Sequence, residues 1–277
     1  MRFFNEELYT DYNQKLLIES MIVKKKSKYQ KIEIFNSKKF GKVMSLDKVI
    51  QITENDHHGY SEMLTHVPIL THNNVKKVLI IGGGDGAIAH EVLKYSTIEK
   101  IIICEIDEEV IKLSKKYLYN INFGSLNNIK VNILINDAFK FVSKNKYKNY
   151  FDLIIVDRPD PIGPGKKLFQ KIFYQNIKNI INKNGIAVFQ NGVPFFQKTE
   201  LKKTSNNLKN IFQFSGVYLT VVPSYIGGYM ALTWASDKTN MKKKFKNNIY
   251  TPNTKYYTQN LHNSSFKLPN WIEKIVK

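Results

Sequence analysis

From Val75 onward, apolar runs of strand length alternate with helical patterns, and this alternation predicts an α/β domain built on a parallel sheet buried on both faces. A glycine-rich turn follows the first of these runs, and acidic residues follow the next three, which is where a doubly wound sheet gathers ligand-binding groups. Upstream of Thr53, short β-type stretches between polar or glycine breaks add a small antiparallel β domain at the N-terminus.

Taken in order, the N-terminal strands are expected at Ile18–Val23, Tyr29–Phe35, Gly41–Leu46 and Val49–Thr53. Glu54 to Thr65 is polar and turns helical at its end, and Pro68 is expected to interrupt the chain before the next strand. Lys77–Ile81 reads as a strand, and Ala87–Lys94 as a helix with Ile88, Ala89, Val92 and Leu93 on one side. Lys100–Ile106 is a strand, Glu108–Leu118 a helix, and Ile129–Ile135, Phe151–Val156 and Gly185–Phe189 are further strands. Near the end, Tyr218–Pro223 and Tyr229–Ala235 flank Ser224–Gly228, a connection too short for a helical crossover and suited to a hairpin. An antiparallel pair at the edge of a parallel sheet specifies the Rossmann-like, methyltransferase-type variety of the architecture. The division expected is residues 1–60 for the β domain and 61–277 for the α/β domain.

With 277 residues, 43% of them hydrophobic, the chain carries enough apolar material for an ordered core. No apolar run approaches the ~18 residues of a membrane span, and Met1 to Thr10 lacks the basic start and apolar stretch of a secretory signal, so the expectation is a soluble cytoplasmic protein with no membrane partner. Cys104 is the single cysteine, which excludes an internal disulfide, and no Cys/His spacing suits structural zinc. The net charge of +19 raises the question of nucleic acid. Of the 42 basic residues, all but Arg2 and Arg158 are lysine, which reads guanine poorly, so the excess is taken as a solvated surface with no nucleic-acid partner.

The acids are scarce, and their placement is therefore informative. After the first strand of the α/β domain comes Gly82-Gly83-Gly84-Asp85-Gly86; Glu105 and Asp107 follow the second, Asp137 the third, and Asp157 and Asp160 the fourth. Gly82, Gly84 and Ala87 fit a G-x-G-x-x-A turn, which alone leaves a nicotinamide dehydrogenase open. Asp85 opposes that reading, because a fixed negative charge at the helix start repels a pyrophosphate; a cationic adenosyl sulfonium suits the loop better. Glu105 stands where an acid accepts hydrogen bonds from ribose hydroxyls, Asp137 suits an adenine amino group or a loop cap, and Asp107 suits a helix cap. Asp157 and Asp160 precede a loop stiffened by Pro161 and Pro164, so their positions are set before ligand arrives.

Two readings compete at this point. An S-adenosylmethionine-dependent methyltransferase shares the fold and the use of Glu105, but leaves Asp85, the Asp157/Asp160 pair and the N-terminal strands without a purpose. A non-catalytic nucleic-acid-binding protein uses the lysines and treats the rim acids as accidental.

Four segments carry a family resemblance: Phe40-Gly41-Lys42-Val43-Met44-Ser45-Leu46-Asp47, Glu62-Met63-Leu64-Thr65-His66-Val67-Pro68, Leu79-Ile80-Ile81-Gly82-Gly83-Gly84-Asp85-Gly86 and Asp160-Pro161-Ile162-Gly163-Pro164. Gln190-Asn191-Gly192 and Phe266-Lys267-Leu268-Pro269 agree as well. Through these segments the chain resembles the polyamine aminopropyltransferases of the spermidine synthase type, over nearly its whole length and with the family-wide region at about residues 2–237. The resemblance implies transfer of an aminopropyl group from decarboxylated S-adenosylmethionine, a co-substrate rather than a cofactor, to putrescine, with no metal. It implies Asp157 as proton acceptor, with Gln30, Gly82, Gly84, Asp85, Glu105, Asp137, Ala138 and Pro164 around the nucleoside donor. Tyr60, Ser61, Asp85, Asp157, Asp160 and Tyr225 are implied at the amine, and a homodimer or homotetramer as the assembly.

Three positions depart from the family pattern. Arg158 and Pro159 stand between the paired aspartates where small polar residues are usual, and the Arg158 side chain is expected to turn to the outer surface. Ser61 replaces a longer His or Gln beside the acceptor, and together with Arg158 it leaves open another acceptor amine such as cadaverine, agmatine or spermidine. His57-His58-Gly59 replaces a more acidic and apolar stretch, and adjacent histidines chelate one ion poorly.

Overall fold

The computed structural model describes residues 1–159, 163–243, 245 and 252–277, and for residues 145, 163 and 164 the backbone alone. The chain opens with β1 (Arg2–Asn5) and β2 (Lys15–Ile18), an antiparallel hairpin that the upstream sequence does not advertise. A four-stranded antiparallel meander follows, β3 (Ser20–Lys26), β4 (Lys31–Ser37), β5 (Gly41–Leu46) and β6 (Val49–Thr53); the last two match the expected bounds, and the first two start two residues later than expected.

Helix α1 (His58–His72) runs straight through Pro68. The proline was expected to stop the chain; instead it costs one N–H inside a helix whose residues from Gly59 to Leu70 are all buried, and tertiary packing outweighs the local penalty. The α/β elements then alternate: β7 (Lys77–Gly82), α2 (Ala87–Leu93), β8 (Lys100–Glu105), α3 (Glu108–Tyr117), the short α4 (Tyr119–Asn122), β9 (Val131–Ile135), α5 (Ala138–Val142), β10 (Phe151–Asp157), α6 (Lys171–Ile180), β11 (Ile181–Gln190) and α7 (Lys198–Ile211). The chain ends with β12 (Phe214–Val221), β13 (Tyr229–Ser236), α8 (Gln259–Ser265) and α9 (Asn270–Val276).

Among the described residues, seven strands form one sheet in the order β12-β13-β11-β10-β7-β8-β9. The strands from β7 to β11 pair in parallel, and β12 and β13 close one edge as an antiparallel hairpin. Strand residues alternate between two cores: Val78, Ile80, Leu153 and Ile155 pack with α1 and α2, while Leu79, Ile81, Ile154 and Val156 pack with Phe173, Tyr174 and Ile177 of α6. Strand order reverses between β7 and β10, so the crevice beyond their carboxyl ends is the switch point of the sheet.

The meander docks onto this layer through a shared cluster in which Ile32, Ile34, Met44 and Ile52 meet Ala87, Val110 and Leu113. That contact brings the β3–β4 turn over the switch point. No helix among the described residues is long and apolar enough to cross a membrane.

Candidate active site

The site begins with a close backbone approach. Gly82, the last residue of β7, is paired with Asp157, the last of β10, and has φ +79°; a Cβ there would lie 2.0 Å from the Asp157 carbonyl oxygen. Only glycine lets the two strand ends meet so closely while the chain turns into the loop that carries Asp85. Gly84 serves a second approach, since a Cβ on it would stand 3.0 Å from Glu105 Oε2.

Two cavities open beyond these strand ends, of about 260 Å³ and about 200 Å³. Asp85, Asp157 and Gln30 border both, so the two form adjoining chambers of one cleft. The smaller chamber is walled by Gly82, Gly84, Glu105, Asp137 and Ala138, with Met44 and Val110 as apolar cover. Tyr60, Tyr225, Gln51 and Gln190 border the larger one.

Asp157 sits where opposing influences meet. Burial and the neighbouring Asp85 carboxylate raise its pKa to about 7, against a hydrogen bond from Tyr60 Oη at 2.5 Å and another from the Gly83 amide. Asp85 is raised as well, first by burial, although its Oδ1 accepts the Ala87 amide at 2.7 Å. Two buried carboxylates facing one cleft cannot both ionise cheaply, and the pair titrates as a unit.

In the smaller chamber, Glu105 Oε1 accepts the amides of Ile106 and Asp107 at 2.7 and 2.9 Å, and burial still pushes its pKa up to about 7. Asp137 caps α5 by accepting the Phe139 amide at 2.8 Å while also bordering the chamber. Asp107 caps α3 and reaches across to the β3–β4 turn: its Oδ2 accepts from Ser27 Oγ at 2.6 Å and from Gln30 Nε2 at 2.9 Å, which fixes Gln30 over the cleft. Cys104 borders the same chamber with its thiol pushed up to about 12 by burial, so it stays protonated there.

In the larger chamber, Tyr60 and Tyr225 stand edge to face with centroids 5.9 Å apart. Burial pushes both phenols well above their ordinary pKa, which keeps them as neutral hydrogen-bond donors. Tyr225 donates to the Gln51 carbonyl.

Gln30, Gly82, Gly84, Asp85, Glu105, Asp137, Ala138, Asp157, Tyr60 and Tyr225 all border this one cleft. Asp160 lies outside the described residues, and Pro164 is described only as part of a 3₁₀ segment, Gly163–Phe169. Ser61 is not brought to the cleft: it is buried, donates to the His57 carbonyl at 3.0 Å and borders neither chamber. One residue of helix turns a side chain by about 100°, so facing Tyr60 into the cleft aims Ser61 elsewhere.

Arg158 corrects a second expectation. It does not reach the outer surface; it is 2% exposed and lies inside the protein. The physical reason is a complete set of acceptors: Gln190 O, Leu168 O, Tyr174 Oη, Asn191 Oδ1 and Thr204 Oγ1. Gln51 is a residue that sequence reasoning missed, and it borders both chambers. Its only signal is a polar side chain between Ile50 and Ile52, which a period-two strand places on the face opposite to theirs. The His57 and His58 rings meet at a tilt of 43° with centroids 3.9 Å apart, and burial pulls His57 down to about 3. Among the described residues no group of three or more His, Cys, Asp or Glu is placed to hold a metal ion.

Two adjoining chambers at a sheet switch point, joined through two aspartates, define a Rossmann-like α/β protein with a cleft of small-molecule size. Comparison with known proteins narrows the class. The family model described as the spermine/spermidine synthase domain matches residues 57–247, and the spermidine synthase tetramerisation domain matches residues 3–54. A polyamine aminopropyltransferase of Ruegeria sp. (strain TM1040) is 41% identical over 98% of this chain and 96% of its own. That of Buchnera aphidicola subsp. Acyrthosiphon pisum (strain Tuc7) is 45% identical over 97% and 96%. A crystal structure of a spermidine synthase in complex with the transition-state analogue AdoDATO superposes with TM-score 0.92 at 34% identity, covering 99% of this chain and 94% of that one. The spermidine synthase of Thermotoga maritima gives TM-score 0.91 at 33% identity with the same coverage. The chain belongs to the spermine/spermidine synthase family, and it is an enzyme.

Proposed function

We propose that the chain transfers the aminopropyl group of decarboxylated S-adenosylmethionine to putrescine, giving spermidine and methylthioadenosine. The observation that carries this reading is the pair Asp85 and Asp157 at the junction of the two chambers, both raised by burial and Asp157 also by the Asp85 charge, an arrangement that a cation relieves. A sulfonium donor with a terminal ammonium and a diamine acceptor together supply that charge.

The nucleoside lies in the smaller chamber, its ribose hydroxyls donating to Glu105, whose Oε1 is already held by backbone amides, and to Gln30. Asp137, Ala138 and Pro164 flank the adenine. The donor ammonium faces Asp85. Ordinary S-adenosylmethionine carries a carboxylate at that end, and like charges disfavour it. The diamine extends along Tyr60 and Tyr225, whose ring faces cover methylenes; Asp160, an anchor by the family resemblance, lies outside the described residues.

Chemistry needs an amine stripped of its proton, against a solution pKa of about 10.4. Asp157 takes that proton, the nitrogen lone pair attacks the methylene beside sulfur, and the C–S bonding pair leaves with sulfur as a neutral thioether. Once both cations are bound, the carboxylate is held ionised and ready to accept. Alignment at near-attack distance supplies the remainder, so neither a metal nor another cofactor is part of the scheme.

The boundary at residues 60 and 61, a cytoplasmic location and a homo-oligomer, dimer or tetramer, belong to the same proposal; the match to a tetramerisation domain supports the last. Purified protein incubated with the decarboxylated donor and a panel of diamines, with products read by mass, tests it. Spermidine with methylthioadenosine is the expected outcome. A methylated product from ordinary S-adenosylmethionine, with no aminopropyl product, overturns it.

A further inference from the structure

The residue after Asp157 has no role in the scheme above, yet it is among the most heavily bonded side chains in the molecule. Arg158 Nε donates to Gln190 O at 3.1 Å, one terminal nitrogen to Leu168 O at 2.5 Å and Tyr174 Oη at 2.9 Å, the other to Asn191 Oδ1 at 3.2 Å and Thr204 Oγ1 at 3.4 Å. All five N–H groups of the guanidinium therefore have neutral acceptors, and the plane lies 3.6 Å from the ring centroid of Phe169.

These contacts fall into two sets. Gln190 and Asn191 end and follow β11, Tyr174 is on α6 and Thr204 on α7, all buried framework apart from the half-buried Gln190. Leu168 and Phe169 belong instead to the 3₁₀ segment, of which Gly165, Lys167 and Leu168 form a wall of the smaller chamber. The aliphatic stem starts at the strand end that carries Asp157.

We propose that Arg158 is a positioning residue that docks the Gly165–Phe169 wall of the donor chamber against the framework, in register with Asp157. A lysine cannot replace it, because a single ammonium on a flexible stem lacks the planar fork that reaches both sets and lacks the face that stacks on Phe169. Without the guanidinium, the Leu168 carbonyl loses a buried donor and the wall loses its only ring-face contact to the framework described above. The consequence for catalysis is uneven: the donor chamber loses the contacts at Leu168 and Phe169 that hold its wall, the acceptor chamber loses one bond to the Gln190 carbonyl at the end of β11, and the base keeps its bonds from Tyr60 and Gly83.

This assignment rests on the smaller chamber being the nucleoside site, and the test separates the two claims. Amide hydrogen exchange over residues 165–169, affinity for methylthioadenosine, and KM for donor and amine are measured for wild type, Arg158→Lys, Arg158→Met and Phe169→Leu. Phe169→Leu removes the stack at a half-buried position and leaves the framework bonds in place, so it remains informative if the arginine variants do not fold. Faster exchange confined to residues 165–169, at least a ~10-fold rise in donor KM and in the methylthioadenosine Kd for Arg158→Lys, and an amine KM within ~2-fold are expected; tenfold is about 1.4 kcal/mol. A smaller shift of the same pattern is expected for Phe169→Leu. Unchanged exchange over 165–169 in folded Phe169→Leu and Arg158→Lys overturns the proposal, as does an equal rise in both KM values. Loosened exchange with no methylthioadenosine binding even in the wild type would keep the docking role and remove the nucleoside assignment instead.

Discussion

Tyr60 donates its phenol to Asp157 Oδ1 across 97 residues of sequence, and this bond pulls the carboxylate toward ionisation while Asp85 pushes it the other way. With burial as the largest raising influence, the balance holds Asp157 at about 7, in the neutral range where a proton acceptor for an amine works best. Tyr60→Phe removes the stabilising donor and leaves the repulsion. The acid limb of kcat/KM is expected to move to higher pH, by up to about one unit, with the fold intact. A pH–rate profile measures it, and an unmoved limb would detach Tyr60 from the base.

Asp157→Asn separates the chemical role from the structural one. Turnover should fall by at least ~10²-fold, the usual contribution of a positioned base. Stability should move the other way. The folded pKa of Asp157, about 7, lies above its ordinary value of 3.8, so its favourable contribution is fully present at acid pH and is lost as pH rises toward and through 7. Asparagine carries no such penalty, and above pH 7 the ligand-free variant is expected to melt higher than wild type. Melting curves at pH 5 and pH 8 decide it; a lower melting temperature for the variant at pH 8 refutes the assigned shift.

The parallel sheet and its acidic rim were legible because both rest on local pattern. Buried strands such as Lys77–Gly82 are continuous apolar runs, and a ligand site at a switch point samples the residue just past each of them. The hairpin of Arg2–Asn5 and Lys15–Ile18 was not legible, because half its side chains face outward and the loop between is polar. Pro68 misled for a related reason: a local penalty of a few kcal/mol was set against burial that only the tertiary structure reveals. Arg158 misled most, since an outward arginine is the ordinary case and its five acceptors come from Leu168, Tyr174, Gln190, Asn191 and Thr204, which converge only after folding.

Asp85→Asn tests donor choice and base electrostatics together. With no negative charge facing the donor terminus, ordinary S-adenosylmethionine should compete better, its inhibition constant falling by roughly 10-fold relative to the donor KM, the scale of one like-charge contact. The same substitution removes the repulsion on Asp157, so the acid limb of kcat/KM should move to lower pH, opposite to Tyr60→Phe. A competition assay and a rate profile on one preparation give both readings. Parallel shifts in the two variants would break the assignment of opposite influences.

The buried carboxylates of the cleft make its affinity for a cation depend on pH. Glu105, raised to about 7 chiefly by burial, and Asp157, raised to about 7 by burial and by Asp85, are largely protonated below that pH and ionise above it, and burial raises Asp85 as well. A cationic ligand must meet ionised carboxylates and at low pH must displace their protons, so its affinity should climb as pH rises from 6 to 8. Methylthioadenosine has no cation, and it needs Glu105 only as a hydrogen-bond acceptor, a capacity that the protonated acid partly retains. The gain in melting temperature produced by a decarboxylated sulfonium analogue should therefore grow over that interval by more than the gain from methylthioadenosine. Equal pH dependence for the two ligands would mean that Asp85 and Asp157 do not face the bound cation, and the electrostatic basis of the proposed transfer would fall with it.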